Sequence, residues 1–284
     1  MTAPRARSFA LALGGGGARG LAHIAVIEAL DEMGLKPAAI AGTSIGALIG
    51  AAYAAGMSGK DMRRHVLGVA HRPSETRRRL IASRAGTLAD LLTGAFGQAT
   101  QLDAEKLCAQ FLPDAVPEDF AALSIPLMVA TTDLHRRAEV LIESGALRPA
   151  LAASIAIPGL FRPVLIGDRV LIDGGTTNPL PFDKLAGRAD VVVAVDVFGR
   201  PAAARSDVPG PWESVFTALL IMGSTIVAAK HAHAAPDLTL RPDVSAFRTL
   251  DFHQASAILR TAEMTKTELR DKLAKLIAAP ERTP

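Results

Sequence analysis

Phe9-Ala10-Leu11-Ala12-Leu13-Gly14-Gly15-Gly16-Gly17-Ala18-Arg19-Gly20, followed later by Ile40-Ala41-Gly42-Thr43-Ser44-Ile45-Gly46, decides how this chain is read. Residues 9–13 are short, apolar and strand-sized, and they run straight into glycines. Glycine alone enters positive φ freely and lets several backbone N–H groups crowd around one point. After the loop, Leu21, Ile24, Ala25, Ile27, Glu28 and Leu30 recur at helical spacing, and Gly34 is placed to end that helix. Residues 38–41 predict a second strand that enters a G-x-S-x-G turn. Between a strand and a helix, such a turn is the setting of a nucleophile elbow. The next helix is rich in small residues (Gly46, Ala47, Gly50, Ala51, Ala52, Ala54, Ala55), so it can lie close to a sheet.

This arrangement predicts chemistry. Ser44, on a tight turn at a helix N-terminus, has its hydroxyl near the positive end of a helix dipole. A glycine loop one strand away can offer N–H groups to the negative oxygen of a tetrahedral intermediate. Nucleophile and oxyanion hole together imply acyl transfer, most simply ester hydrolysis.

Composition sets the limits. The chain has 284 residues, long enough for one large α/β domain or two small ones, and 49% are hydrophobic while 4% are aromatic. Net charge is +3 and the pI is near 9.2, weak grounds for nucleic acid when no stacking aromatics alternate with basic residues. One cysteine, Cys108, excludes an internal disulfide and a cysteine-built metal site and fits a reducing cytoplasm. Arg5 and Arg7 before residues 9–13 imitate a signal peptide. That apolar run is too short for the roughly 7–15 residues of a signal core, and cleavage near Ala18 would destroy the glycine loop. Residues 215–229 form the most apolar helix-length segment, shorter than the roughly 20 residues of a span, so a buried or interface helix is expected.

Residues 57–122 hold the arginine clusters and no clear strand, and predict a helical insertion. Its Arg72, Arg77, Arg78, Arg79 and Arg84 read first as a solvated helix face and second as a surface for anionic lipid. Residues 125–132 resume the sheet and end at Asp133, with 139–143 pairing beside them. Residues 147–157 predict a helix closed by Pro158. Residues 164–166 and 170–172 predict a hairpin that runs into Asp173-Gly174-Gly175. A buried strand over 191–197, a loop over 199–211, a helix over 212–233, a short strand over 238–240 and a charged surface helix over 254–279 complete the chain.

Gly15, Gly17 and Gly20 spell G-x-G-x-x-G, the dinucleotide signature. That reading needs an acidic residue at the end of the second strand, where this chain has Gly42-Thr43-Ser44. No Lys-Ser/Thr follows the loop, so a P-loop fails too. An α/β-hydrolase with His231, His233 or His253 is the other rival, but only about 40 residues precede Ser44, too few for the strands such a fold needs first. His23, just behind the glycine loop, is expected to brace it. Without a histidine the base is a carboxylate, and Asp133, Asp173 and Asp196 all end predicted strands. In a parallel sheet these ends share one edge, so each of the three could approach Ser44.

The motifs resemble those of bacterial patatin-like phospholipases. The glycine-rich oxyanion stretch corresponds to residues 15–20, the nucleophile to Ser44 with Gly42 and Gly46 shaping the elbow, and the base motif to Asp173-Gly174-Gly175. Ala153-Ser154-Ile155-Ala156-Ile157-Pro158 resembles the family's Ser-to-Pro segment. The resemblance covers roughly residues 9–197 and implies a Ser44–Asp173 dyad. It also implies a three-layer α/β sandwich, a mostly parallel sheet with helices on both faces.

The expected organisation is one domain over 1–284, with a motif-bearing core over 9–197, the insertion over 57–122 and a C-terminal helical part over 199–284. The expected oxyanion donors are the N–H groups of Gly15, Gly16 and Gly17, with Arg19 and Gly20 supporting the loop. The expected substrate is a lipid or other fatty-acyl ester, such as a (lyso)phospholipid, met in the cytoplasm or at an anionic membrane face. No metal, nucleotide or other cofactor is expected. A regulatory or scaffolding protein on the same fold is the alternative from another class.

Overall fold

A computed structural model describes residues 7–83, 101–198 and 208–278. At its centre β1 (Phe9–Leu13) lies between β2 (Ile40–Thr43) and β7 (Val191–Val195), parallel to both. All five residues of β1 are buried. A strand covered on both faces reads as a continuous apolar run without alternation, as this one does. The sheet extends in parallel to β3 (Leu127–Asp133) beyond β2, and to β8 (Leu238–Leu240) beyond β7.

Two strands run the other way. β4 (Ala138–Ile142) and β6 (Arg169–Asp173) are antiparallel to β3, and β5 (Val164–Ile166), antiparallel to β6, runs in the direction of β3. The register shows how β3 accommodates three neighbours. β4 occupies one edge of β3 from Val129 to Asp133. On the other edge β2 pairs with Leu127 through Ala130, and β6 takes over from Thr131 to Asp133. β2 and β6 therefore meet head-on, C-terminus to C-terminus, along one edge of β3. Ser44 follows the last residue of β2, and Asp173 is the last residue of β6.

The expected shared edge of parallel strand ends is corrected here. It holds for Asp133 and for Asp196, which follows β7. Asp173 arrives from the opposite direction.

The layers are unequal. Phe9, Leu11 and Leu13 of β1 face a large apolar cluster that includes α1 (His23–Glu32), α2 (Ile45–Ala54) and α6 (Leu147–Ser154). Ala10 and Ala12 face a smaller cluster built from Met128, Leu180, Phe182, Leu185, Phe198 and Val227. Alanines on that side leave room for a thin cover.

The insertion contributes α3 (Gly59–Ala70), α4 (Pro73–Ala82) and α5 (Ala104–Phe111). Ser58 and Asp103 cap α3 and α5, each accepting a backbone N–H at 3.1 Å. Arg84 lies outside the described residues. The other four arginines do not form one uniform face: Arg72 and Arg79 both pair with Glu75, while Arg77 and Arg78 are exposed.

Three expected boundaries move. A 3-10 turn, Gly17–Ala22, precedes α1, and α6 stops at Ser154, short of 157. The terminal helix divides into α8 (Ala255–Thr261) and α9 (Glu263–Ala278). α9 is tied to α1 through the buried Glu28, which accepts from Arg63 and Lys266 at 2.6 Å each. A covered carboxylate needs such cations, because removing one would strand its charge.

The apolar segment near 215–229 belongs to α7 (Pro211–His233), 23 residues long, so length no longer argues against a span. It is not a buried helix either: within Glu213–His233 only 17% of the most apolar window is covered, and Val215, Ile221 and Met222 are exposed. Gly223 and Val227 face Phe198 and the smaller cluster.

Candidate active site

Ser44 sits between β2 and α2 at φ 54°, ψ −124°, in the positive-φ region that non-glycine residues avoid. Such strain costs on the order of 1–3 kcal/mol and persists only where the surroundings fix it. Downstream, the Ser44 carbonyl accepts the N–H groups of Ala47 and Leu48 at 2.9 and 3.2 Å. Upstream, its own N–H donates to Ser154 Oγ at 2.8 Å. Gly46 is required by contact: a Cβ there would lie 2.2 Å from the Leu13 carbonyl oxygen, so only glycine lets α2 start against the end of β1.

Ser44 Oγ donates to Asp173 Oδ2 at 2.8 Å, with both residues buried. The other carboxylate oxygen, Oδ1, accepts the Gly175 N–H at 2.7 Å. Burial pushes the Asp173 carboxyl up to about 6, and the bonds from Gly175 and Ser44 offset only part of that rise. Among the described residues no cation contributes. The Asp173 backbone is held as well, its N–H donating to the Ala156 carbonyl at 3.0 Å and its carbonyl accepting from Thr132 Oγ1 at 3.1 Å.

The other two aspartates have different partners. Asp133 accepts from the backbone N–H and the guanidinium of Arg136, both at 2.8 Å, which hold its carboxyl below the ordinary value. Asp196 accepts from the Phe198 N–H at 3.0 Å and from Arg241 at 3.2 Å. Neither bonds to Ser44. Nor do the histidines: His231 stacks against the Phe182 ring, with centroids 4.8 Å apart.

The glycine loop lies beside the nucleophile, and a Cβ on Gly15 would touch the Ser44 Cβ at 3.4 Å. Contrary to expectation, the Gly15 amide is not free. Its N–H is already donated to the Pro179 carbonyl at 2.9 Å, as Gly14's is to Val195 at 3.1 Å. Both amides act as extra rungs that hold the loop to the sheet. Gly16 and Gly17 are at φ 149° and 59°, and among the described residues neither N–H has a protein partner.

Arg19 anchors the loop from outside. Its guanidinium donates to the backbone carbonyls of Phe247 at 2.6 Å and Phe198 at 2.5 Å. Gly20 packs under Ile45, where a Cβ would collide at 2.2 Å. His23 is fully buried with Nε2 2.8 Å from the Gly14 carbonyl, and burial lowers its titration to about 4, so at neutral pH it is an uncharged donor. Gly174 passes 2.2 Å, measured from its would-be Cβ, from the Ala130 carbonyl oxygen. That approach is what brings the Asp173 turn down onto β3.

Sequence reading missed several supports. Thr43 Oγ1 donates to the Asn178 carbonyl at 2.7 Å, and Ala18 N–H to the Thr249 carbonyl at 2.8 Å. The second bond shows that the part beyond residue 199 braces the glycine loop. No motif in that part announces it.

A family model described as patatin-like phospholipase matches residues 11–186. The chain belongs to the patatin-like phospholipase family. An NTE family protein of Mycobacterium tuberculosis is 38% identical over 199 residues, covering 70% of this chain and 51% of that protein. Lysophospholipase nte1 of Aspergillus fumigatus is 30% identical over 295 residues, covering 94% of this chain but 18% of that protein. The chain thus spans about half the length of the first curated relatives it matches, and far less of the fungal one. Among solved structures, VipD from Legionella pneumophila aligns with a TM-score of 0.48 at 15% identity, covering 95% of this chain and 67% of that one.

Proposed function

We propose that this patatin-like chain is a serine acyl hydrolase that cleaves carboxylic esters of lipids, with Ser44 as nucleophile and Asp173 as base. The observation that carries the reading is the 2.8 Å bond from Ser44 Oγ to a buried carboxylate that no cation neutralises. A carboxylate beside an arginine holds its charge too firmly to take a proton. One raised to about 6 is still ionised at neutral pH and accepts a proton far more readily.

Ser44 Oγ attacks the ester carbonyl as its proton passes to Asp173 Oδ2. The oxygen that becomes negative is held by the N–H groups of Gly16 and Gly17, Gly15 being occupied. Collapse expels the alcohol, which takes the proton from Asp173 and leaves Ser44 acylated. Water then enters, gives a proton to Asp173 and attacks the acyl carbonyl. The fatty acid departs as the proton returns to Ser44 Oγ. Asp173 alternates as base and acid, so no metal, nucleotide or histidine is needed.

The substrate class proposed is a fatty-acyl ester of a phospholipid or lysophospholipid. The family and the lysophospholipase among the relatives support a lipid ester, without fixing acyl length or head group. Such substrates reside in bilayers, so peripheral contact with an anionic membrane belongs to the same proposal, with the exposed Arg77 and Arg78 to make it.

Incubation with a fluorophosphonate probe followed by mass spectrometry of peptides tests the reading. The parent should carry the label on Ser44 and hydrolyse short p-nitrophenyl esters. Ser44→Ala should lose both while keeping its Tm within a few degrees. A folded parent that neither labels nor turns over would instead favour the scaffold.

A further inference from the structure

The end of α6 and the residues just after it touch both members of the dyad. Ser154, the last residue of α6, is fully buried. Its hydroxyl accepts the Ser44 N–H at 2.8 Å and donates to the Ala130 carbonyl of β3 at 2.7 Å. Two residues on, the Ala156 carbonyl accepts the Asp173 N–H at 3.0 Å. One short turn therefore holds the nucleophile's backbone through a side chain and the base's backbone through a main-chain oxygen.

The topology explains why such a turn is needed. β2 and β6 meet head-on along β3 and are not paired with each other, so no ladder fixes the gap in which Oγ meets Oδ2. β2 also pairs with β1 and β6 with β5, but among the described residues β3 is the one strand that both share. Ala130 pairs with Thr43, and Thr131 with Asp173, so the break lies between adjacent residues of β3. The Ala130 carbonyl at that break is also the atom over which Gly174 passes. Ser44, meanwhile, is held at positive φ, and α2 restrains only its C-terminal side. The hydroxyl of Ser154 restrains the other side.

We infer that the Ser154–Ala156 turn is a clamp that sets the spacing of the dyad, with Ser154 a positioning residue that keeps Ser44 within hydrogen-bonding reach of Asp173. The inference rests on the Ser44–Asp173 reading and deepens it. Ser154 touches no reacting atom. Its effect comes through geometry, where a misplacement of about 1 Å costs on the order of 100-fold.

The clamp has a second signature. The Ser44 bond is one of the two contacts that hold the Asp173 carboxyl down against its burial, the other being Gly175 N–H, and no charged side chain contributes. Loosening Ser44 should therefore raise the pH at which activity is lost on the acid side.

The test compares the parent with Ser154→Ala, Ser154→Thr and Leu273→Ala, the last a buried residue of α9 remote from the site. Active sites are titrated with a fluorophosphonate, and kcat, KM and the pH profile are measured on a soluble p-nitrophenyl ester. Ser154→Ala should lose roughly 10- to 100-fold in kcat per titrated site, as a misplaced reacting group does. Its KM should stay within about twofold, and its acid limb should move upward. Ser154→Thr, which keeps a hydroxyl, should recover most of the kcat and return the limb. Leu273→Ala should lower Tm and leave kcat per site and the limb unchanged.

If Ser154→Ala behaves like Leu273→Ala, the clamp is overturned and Ser154 only packs. If the folded parent never labels at Ser44, the dyad reading falls and the clamp with it. Labelling of the parent combined with an unaltered Ser154→Ala sinks the clamp alone.

Discussion

Asp133 and Asp196 lie at the ends of parallel strands, and Asp173 ends an antiparallel one. All three are buried at a strand terminus, and a sequence pattern treats them alike. Their surroundings separate them. Asp133 and Asp196 each close a turn by accepting a nearby backbone N–H, and each faces an arginine. Asp173 also accepts a backbone N–H, from Gly175, but its remaining oxygen faces a serine hydroxyl. The other two carboxylates each have an arginine partner, and the one proposed for chemistry is buried and, among the described residues, without a counter-ion. Strand position does not single out the proposed base; among the described residues, the lack of a cation partner does.

The largest effect should come from exchanging these charges one at a time. Asp173→Asn should lower turnover on a soluble ester by about 10³-fold or more, by analogy with removal of a triad member. Asp133→Asn and Asp196→Asn should stay within a few-fold. Stability should run the opposite way. The folded Asp173 titrates near 6, above the ordinary carboxyl value of 3.8, so the native state holds its proton more tightly than the unfolded chain. That contribution favours folding at low pH and is lost as pH rises from about 4 to about 6. Asp173→Asn should thus melt higher than the parent at pH 7.5, at roughly 2–4 °C per kcal/mol for a chain of this size, with the gain shrinking toward pH 4. Asp133→Asn should melt lower. His23 acts in the reverse sense across the same window. Its neutral form is favoured down to about 4, so stability is lost as pH falls below about 6.5. The parent's own acid profile mixes the two, and only the difference between parent and Asn variant isolates Asp173.

A smaller effect concerns the surface. Because Arg79 donates to the Gln110 carbonyl and pairs with Glu75, replacing it would disturb the packing of α4 against α5. The cleaner variant is Arg77→Gln with Arg78→Gln. It should weaken binding to anionic vesicles at low salt, by roughly 1 kcal/mol per arginine, and the difference should fade as salt screens it. Hydrolysis of a soluble ester should not change. Equal vesicle binding would reduce the cluster to a solvated face.

Much of this was legible in the chain. Residues 9–13, the glycines and residues 40–46 specify strand, loop, helix, strand and elbow by local rules, and local rules held there. The hairpin before Asp173 was equally plain, with Gly167 at φ 61° turning it. The direction of β6 in the sheet was not, since a five-residue strand carries no mark of which neighbour it will pair with. The occupied Gly15 amide was hidden for a related reason: its partner, Pro179, is distant in sequence. Ser154 stood out as part of a motif, yet its two bonds reach residues 110 and 24 positions away. The α7 surface could not be judged from hydropathy, because an apolar helix looks the same whether covered or exposed.

The central claim is that a buried, uncompensated Asp173 serves as the base for Ser44. The pH dependence of kcat/KM on a soluble p-nitrophenyl ester tests it most directly, because that ratio reports titrations of the free enzyme. The account predicts one acid limb near pH 6, where Asp173 becomes protonated, and a plateau from about 7 to 8. Activity that stays flat down to pH 4.5, or a limb that disappears in His231→Asn and persists unchanged in the residual activity of Asp173→Asn, would contradict it.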